Sequence, residues 1–368
     1  MKSEERSKRF KWWKIPVFII CLLLLAVITY VLFVIITYSR IPDYQALEAV
    51  GTASEDTAKT GTEYTAMTYN IGFGAYTPDF TFFMDGGTES WAFSEESVKS
   101  CIEGDIDLLK TYSPDIALIQ EVDIDSTRSY HVNEKDMILD ALENKSSIFA
   151  VNYHSAFLCY PFTQPHGKSN SGLLTISDIQ LTEGTRRSLP ISTGFSKFID
   201  LDRAYTINRM KTENGKELVV FNVHLSAYGT NGDLQTQQIT MMCDDMKAEY
   251  EKGNYVICGG DFNHDFPGDS KYKLNKDTTK ADEYAWAADF PDEMLPEHFS
   301  KATDYESGLT LPTTRYCDKP YGPDSFVVLI DGFIVSDNIE VTYTDVIDTQ
   351  FQYSDHNPVV MRFKLIEN

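Results

Sequence analysis

The chain has 368 residues, 42% hydrophobic and 24% charged, enough for a large core built as one domain of about 250 to 300 residues with additions. Its formal charge is −23, and residues 1–40, with seven Lys/Arg against two Asp/Glu, carry +5, so residues 41–368 carry −28; so acidic a body repels polyanions at long range and argues against nucleic acid as a partner. The six cysteines, at 21, 101, 159, 243, 258 and 317, include no C-x-x-C and no paired short spacing, which excludes a disulfide framework and a zinc site.

Residues 2–14 hold Lys2, Arg6, Lys8, Arg9, Lys11 and Lys14, with Trp12 and Trp13 bordering an apolar run. Residues 15–36 are 22 in a row without a charge, and at about 1.5 Å each they span a hydrocarbon core of roughly 30 Å. The run exceeds the ~7 to 15 residues of a signal-peptide core and no A-x-A site follows it. Residues 15–37 therefore read as an uncleaved transmembrane signal anchor. By the positive-inside bias, residues 1–14 are a cytoplasmic basic segment and everything after the anchor lies across the membrane. Residues 38–62 read as a polar linker or stalk, and 63–368 as the folded body.

The body opens on strand-like 64–71 (Y-T-A-M-T-Y-N-I), ending at Asn70 before a glycine-rich stretch; this amide can face a ligand or serve a turn. Residues 80–91 are aromatic and turn-rich, with no assignable element. A helix is predicted over 94–110, started by Ser94 with Glu95 and Glu96 and stopped by Ser113-Pro114. The apolar run 116–119 then delivers Glu121, a carboxylate that costs stability after a core strand unless it is paired, hydrogen-bonded or on a metal. Asp123, Asp125 and Arg128 follow, and Arg128 is a candidate phosphate or carboxylate clamp.

Residues 146–161 and 172–177 read as strands joined by a polar loop in which His166, Lys168 and Asn170 can touch substrate or simply face solvent. Asn214-Gly215 between strand-like 203–211 and 217–225 signals a hairpin, whose second arm ends in His224. A lone strand histidine is ordinarily a satisfied core residue, and gains a second reading only if the strand ends gather. Residues 234–250 are helical, with Leu234, Gln238, Met242, Met246 and Tyr250 four apart.

The run 256–263, V-I-C-G-G-D-F-N, sets Asp261 and Asn263 two residues apart, on one side of an extended chain; an Asx turn would use the same residues. Residues 264–325 are long, polar and irregular, a substrate-side insertion carrying Arg315. Strand-like 326–330 leads into Asp331, and strand-like 359–365 follows S-D-H-N-P, where Asp355 and His356 stand just before Pro358. Strands interleaved with helices imply packed sheets with helices outside. If those strands are neighbours, Asn70, Glu121, His224, Asp261, Asn263, Asp331, Asp355 and His356 share one rim. Carboxylates so crowded need a counter-charge, and oxygen ligation without thiolate points to Mg²⁺ or Mn²⁺. Cation, imidazoles and amides together suit attack at phosphorus.

In chain order, N-I at 70–71, Q-E-V-D with R-S at 120–129, N-V-H-L, G-G-D-F-N, I-D-G-F-I-V-S and S-D-H-N-P resemble the endonuclease/exonuclease/phosphatase superfamily over residues 63–367. The resemblance implies an α/β fold, a four-layer α/β/β/α sandwich of two mixed sheets, and metal-assisted hydrolysis of phosphate esters. It makes Glu121 the principal metal ligand, with Asn70 and Asp355 near the ion. Asp261 and Asn263 would position or deprotonate the attacking water, His224 would contact the phosphate, and His356, oriented by Asp331, would act as acid/base or donor. Arg128, Asn170 and Arg315 are expected on the substrate. Gly72 stands where many nucleases of the family carry an acid two residues after the asparagine, which weakens a second metal site and tilts away from duplex DNA. The Q-E-V-D…R-S form is similar to a branch of metal-dependent hydrolases with sphingomyelinase-like members.

The expectation is a single-pass cell-membrane protein with an extracellular, Mg²⁺-dependent phosphoesterase domain, its substrate a phosphodiester or phosphomonoester such as a phospholipid headgroup. The alternatives are an extracellular endo/exonuclease and a non-catalytic surface module.

Overall fold

The computed structural model describes residues 12–198, 201–227, 232–279, 284 and 286–367, in two units, residues 1–39 and 40–368. The basic residues 1–11 lie outside the described residues. In the first unit α1 (Lys14–Thr37) is apolar on every side, with a mean hydropathy of 3.3. It is the one helix among the described residues long and apolar enough to cross a membrane, and it has no polar face to turn to water.

The second unit runs β1 (Gln45–Leu47), β2 (Glu63–Asn70), α2 (Glu95–Tyr112), β3 (Ile116–Asp123), α3 (Glu134–Ala141), β4 (Ser146–His154), β5 (Asn170–Ser177), β6 (Leu181–Ser188), β7 (Ala204–Lys211) and β8 (Glu217–His224). It continues through α4 (Gly232–Glu251), β9 (Tyr255–Asp261), α5 (Ser270–Leu274), β10 (Phe299–Lys301), β11 (Thr314–Arg315), β12 (Val327–Val328), β13 (Asp331–Ser336), β14 (Ile339–Val346) and β15 (Val359–Leu365). Seven strands form one sheet in the order β1-β6-β7-β8-β9-β13-β10, six form another in the order β14-β15-β2-β3-β5-β4, and β11 pairs with β12.

Two pairs are parallel, β2 with β3 and β8 with β9. Parallel neighbours need a long crossover, and α2 and α4 supply them. Side chains alternate as a pleated strand requires. From β2 and β3, Ala66, Ile116 and Leu118 share one buried cluster with Leu218, Val220 and Ile257 of the other sheet, which lie on the same face as Asn222. From the same strands Met67, Tyr69 and Ile119 turn outward onto Val98, Ile102 and Ile106 of α2 and Ile138 of α3. Ile239, Met242 and Met246 of α4 close the far face. The result is the expected four-layer α/β/β/α sandwich. Ser94 caps α2 by accepting a hydrogen bond from the Ser97 N–H at 3.1 Å, worth about 1 kcal/mol.

Several stretches differ from expectation. Residues 40–62, read as part of a stalk, are bound to the body: β1 pairs with β6, and Val50, Glu55, Ala58 and Thr60 make further strand bridges. The strand expected over 146–161 ends at His154, and that expected over 326–330 is confined to Val327–Val328, with Asp331 opening a new strand. Strands β6 and β14 and helix α3 had no counterpart in the sequence reading. No disulfide joins the cysteines.

Candidate active site

The strand ends do gather. In register, His224 of β8 faces Asp261 of β9, and Asp261 faces Asp331 of β13, which sets three functional side chains on adjacent strands of the larger sheet. The smaller sheet supplies Asn70 at the end of β2, Glu121 in β3, and Asp355 and His356 just before β15.

Strict alternation would send Glu121 toward α2, opposite to Gln120. Instead the pairing of β3 with β5 slips between Ile119 and Val122, and Glu121 takes φ +57°. A bulge re-aims a side chain in this way, so Gln120 stays between the sheets while Glu121 reaches the rim. Gln120 Nε2 donates to Asn222 Oδ1 at 2.8 Å and to Thr68 Oγ1 at 3.2 Å, joining the sheets directly beneath the site. Sequence reasoning gave neither Gln120 nor Asn222 a role; the only signal was two amides beside two site residues.

Asp261 and Asn263 converge through a turn. The strand ends at Asp261, Asn263 has φ +51°, and Asp261 Oδ1 accepts from the Asn263 N–H at 2.9 Å. Asn263 Nδ2 donates to Leu225 O at 2.8 Å, so its amide pins the ends of β8 and β9 together. The Asx turn and the site are thus one feature.

Asn70 is a donor here. Its Oδ1 accepts from the Gly72 N–H at 3.0 Å, while Nδ2 points to Glu121 Oε1 at 3.2 Å and Asp261 Oδ2 at 3.1 Å. As placed, Asn70 sits beside Glu121, the expected principal metal ligand, and turns its amide nitrogen to both carboxylates. Ser354, which the sequence reading passed over, donates to Asn70 O at 2.7 Å and accepts from the His356 N–H at 3.1 Å.

His356 Nδ1 lies 2.8 Å from Asp331 Oδ2, and Nε2 lies 3.8 Å from Asp261 Oδ2. Burial pulls this imidazole down, but the charge and hydrogen bond of Asp331, with Asp355 and Asp261 behind them, raise it to about 10. Burial and then the charge of Asp331 push Asp261 up to about 7, against the pull of His356. His224 sits 3.6 Å from Asp261; burial, then the charges of Arg203 and His356, hold it well below the usual histidine range, so it is neutral.

Two of the expected substrate clamps, Arg128 and Arg315, also make contacts within the protein. Arg128 is buried, donates through Nε and Nη2 to Asp123 at 3.1 and 2.9 Å, and lies flat on Phe73 at 3.7 Å; only an approach of 4.0 Å links it to Glu121. Arg315 is buried too, its Nη2 donating to Thr77 O and Phe80 O at 2.9 and 3.3 Å. Arg128 thus acts on a wall of the site, whereas Arg315 keeps its buried Nε and Nη1 without a hydrogen-bond partner. Asn170 opens β5 and is partly exposed.

Glu121 and Asp355 are the carboxylates available to hold a cation. Burial raises Asp355 above the ordinary carboxylate range, and of the charges around it Glu121 pushes further in that direction while His356 opposes it. Two carboxylates that repel one another, both partly open to the cleft, form an all-oxygen set suited to a hard divalent ion. Asp261, Asp331 and His356 also present ligand atoms within 4.8 Å of one another. There the His356–Asp331 hydrogen bond at 2.8 Å already occupies the imidazole nitrogen that faces Asp331. At Gly72 (φ +54°) an added Cβ would meet Tyr76 Cδ2 at 2.6 Å and Asp355 Oδ1 at 2.9 Å. A side chain there requires Tyr76 or Asp355 to shift and strains a left-handed backbone.

A profile described as the Endonuclease/Exonuclease/phosphatase family matches residues 67–356. No curated protein sequence matches the chain. Among solved structures, ANGEL2, described as a 2′,3′-cyclic phosphatase in complex with adenosine-2′,3′-vanadate, is similar with a TM-score of 0.54 at 13% identity, over 87% of this chain and 98% of that one. The endonuclease/exonuclease/phosphatase from Beutenbergia cavernae DSM 12333 gives 0.52 at 15% identity, over 83% and 72%. The human Nocturnin catalytic domain with bound sulfate gives 0.51 at 15%, over 87% and 97%. At these identities the likeness is one of fold.

Proposed function

The chain belongs to the endonuclease/exonuclease/phosphatase family, and from that premise we propose that it hydrolyses phosphate esters with the help of a divalent cation, Mg²⁺ or Mn²⁺. The observation that carries this reading is the meeting of two sheets at one rim: His224, Asp261 and Asp331 from one, Glu121, Asp355 and His356 from the other. The 2′,3′-cyclic phosphatase activity of ANGEL2 supports phosphorus as the reacting centre.

Glu121 and Asp355 would hold the cation, which when bound polarises a phosphoryl oxygen and offsets developing negative charge. Asp261 Oδ2 accepts the proton of the attacking water. Asn70 Nδ2 at 3.1 Å holds that oxygen in place, and the Asn263 N–H occupies the other one. A base that titrates near neutrality combines a useful ionised fraction with real driving force for proton transfer. His356 stays protonated through Asp331 and donates from Nε2 to the phosphoryl group or the leaving oxygen. His224, neutral, and the carboxamide of Asn170 orient the phosphate.

The apolar helix α1 serves as a single-pass anchor with residues 1–14 cytoplasmic, and the catalytic unit faces outside. A phospholipid headgroup is the substrate class that matches this placement, whereas the −28 charge of residues 41–368 disfavours nucleic acid. The test is turnover of bis(p-nitrophenyl) phosphate, sphingomyelin, DNA and RNA by the full chain in nanodiscs, with and without Mg²⁺ or Mn²⁺. Glu121→Ala is expected to lose at least about a hundredfold in rate, the order of a missing electrostatic stabiliser, and to lose calorimetric metal binding. Undiminished turnover by Glu121→Ala would sink the assignment.

A further inference from the structure

The aromatic residues left over by the catalytic site collect on one surface beside it. Phe162 is 84% exposed, Tyr160 65% and Met84 60%. Rings of Phe83 and Tyr160, and of Tyr160 and Phe162, have centroids 6.0 Å apart. Two loops build this surface, and they are stitched together: Trp91 Nε1 donates to Pro165 O at 2.8 Å and Ser90 Oγ to Gln164 O at 2.6 Å. An exposed aromatic group of this kind marks an interaction surface.

Both loops are tied to the catalytic rim. Loop 155–168 runs into Asn170, and its Lys168 O accepts from the Thr127 N–H at 2.7 Å, next to Arg128. The other loop is held by Arg315, which binds Thr77 O and Phe80 O while its own N–H donates to Asp355 O at 3.1 Å.

Arg40, the first residue of the body, is at the same end of that unit. Residues 38 and 39 alone separate Thr37 of α1 from Arg40. Arg40 Nε donates to Asp202 Oδ1 at 2.8 Å, and Asp202 Oδ2 lies 3.3 Å from His154 Nε2. His154 is the last residue of β4, so the aromatic loop starts at the next residue. Ser188 and Leu189, which also bind this entry segment, and the start of β7 lie at the strand ends that carry His224. The composition of the loop adds an independent indication: residues 155–168 contain no Asp or Glu, in a body of −28. An aromatic, carboxylate-free tip suits a zwitterionic lipid interface, where such rings settle at headgroup level.

We propose that loop 155–168, with Phe83 and Met84 beside it, docks onto the lipid bilayer that carries the chain and seats the catalytic rim against the headgroups. The proposal rests on the reading of α1 as a membrane anchor and deepens the substrate class to lipid-embedded phosphoesters.

The test reconstitutes the full chain in phosphatidylcholine vesicles and compares the parent with Phe162→Trp by difference fluorescence, using lipids brominated along the acyl chain as quenchers. Insertion to the ~5–10 Å depth of interfacial segments predicts a blue-shifted difference spectrum that loses more than about half its intensity on brominated lipid. Phe162→Ser with Tyr160→Ser is expected to keep turnover of soluble bis(p-nitrophenyl) phosphate and to lose about tenfold on lipid substrate. An indole that emits as in water and is quenched by iodide but not by brominated lipid overturns the docking surface, as does a signal that follows protein concentration and reports a second copy on the patch. Flotation with the vesicles, read on the same sample, judges the anchor separately. Glu121→Ala, expected to leave the fluorescence unchanged, judges the chemistry separately.

Discussion

Replacing Asp331 by asparagine keeps the shape of the side chain and removes its charge. After burial, which acts the other way, that carboxylate is the main influence carrying His356 from 6.5 to about 10. It is also the main charge, second to burial, raising Asp261 from 3.8 to about 7. At about 1.4 kcal/mol per pH unit, the displacement of His356 corresponds to a coupling on the order of 5 kcal/mol. If Asp261 must be ionised and His356 protonated, kcat/KM follows a bell bounded by these two groups. In Asp331→Asn both groups return toward their ordinary values, so both limbs move to lower pH, the alkaline one by more than about one pH unit. The profile is measured from about pH 5 to about pH 11 on bis(p-nitrophenyl) phosphate at saturating Mg²⁺ and constant ionic strength. Stability carries a second signature. A histidine raised on folding contributes stability that is whole below 6.5 and disappears as pH rises through about 10, so the stability gap between parent and variant should close at the alkaline end. A rate that drops uniformly with both limbs unmoved would refute the acid–base assignment.

Gly72→Ala should destabilise the body by about 2–4 kcal/mol, from a left-handed backbone that only glycine adopts freely and from overpacking against Tyr76 and Asp355. Thermal unfolding reads the loss, and calorimetry should show weaker metal binding as Asp355 is displaced. Asp105→Asn should do the opposite. Asp105 is fully buried in α2 beside Tyr69, and burial raises it well above 3.8 against the opposing pull of the Tyr69 hydroxyl. An acid raised on folding contributes stability that is whole below 3.8 and is lost as pH climbs, so the amide should gain stability of order 2 kcal/mol near pH 7. Denaturant melts at pH 4 and pH 8 should show a gain that grows with pH; equal melts at both would contradict a neutral Asp105.

Much of the rim was legible because its residues stand at the ends of apolar runs, where a strand must release its chain to the surface. Asp261 and Asp331 end such runs and Asp355 and His356 precede one, so the four share a rim once the strands are neighbours. The departures have physical causes. Arg128 reads as a free clamp until the fold buries Asp123 five residues earlier, and a buried carboxylate claims the nearest guanidinium. Strand β6, L-T-E-G-T-R-R-S, has almost no apolar residues because tertiary partners hold it: buried Arg186 donates to Val151 O at 2.8 Å and to Asp202 O at 2.8 Å. Residues 40–62 are polar in composition yet bound to the body through backbone bridges, a kind of contact that leaves no side-chain pattern. The bulge at Glu121 is likewise invisible in the sequence, since its cause is the mismatch between β3 and β5.

That bulge explains why glutamine and glutamate stand side by side in the Q-E-V-D run. The site draws its groups from two sheets, so its geometry depends on how the sheets are set against each other as much as on either one. The hydrogen bond from Asn70 to Asp261 and that between His356 and Asp331 both cross between sheets, and neither survives a relative slide of one residue, about 3.3 Å. Apolar packing alone resists such a slide poorly, because it is not directional. Gln120 supplies the direction. Its amide binds Asn222 of β8 and Thr68 of β2, and Asn222 Nδ2 donates in turn to Leu174 O of β5 at 3.2 Å. These groups are fully buried, so a shifted register would leave them unsatisfied at about 1–3 kcal/mol each. Gln120 facing inward fixes the frame and Glu121 facing outward uses it; the backbone bulge between Ile119 and Val122 lets adjacent residues do both.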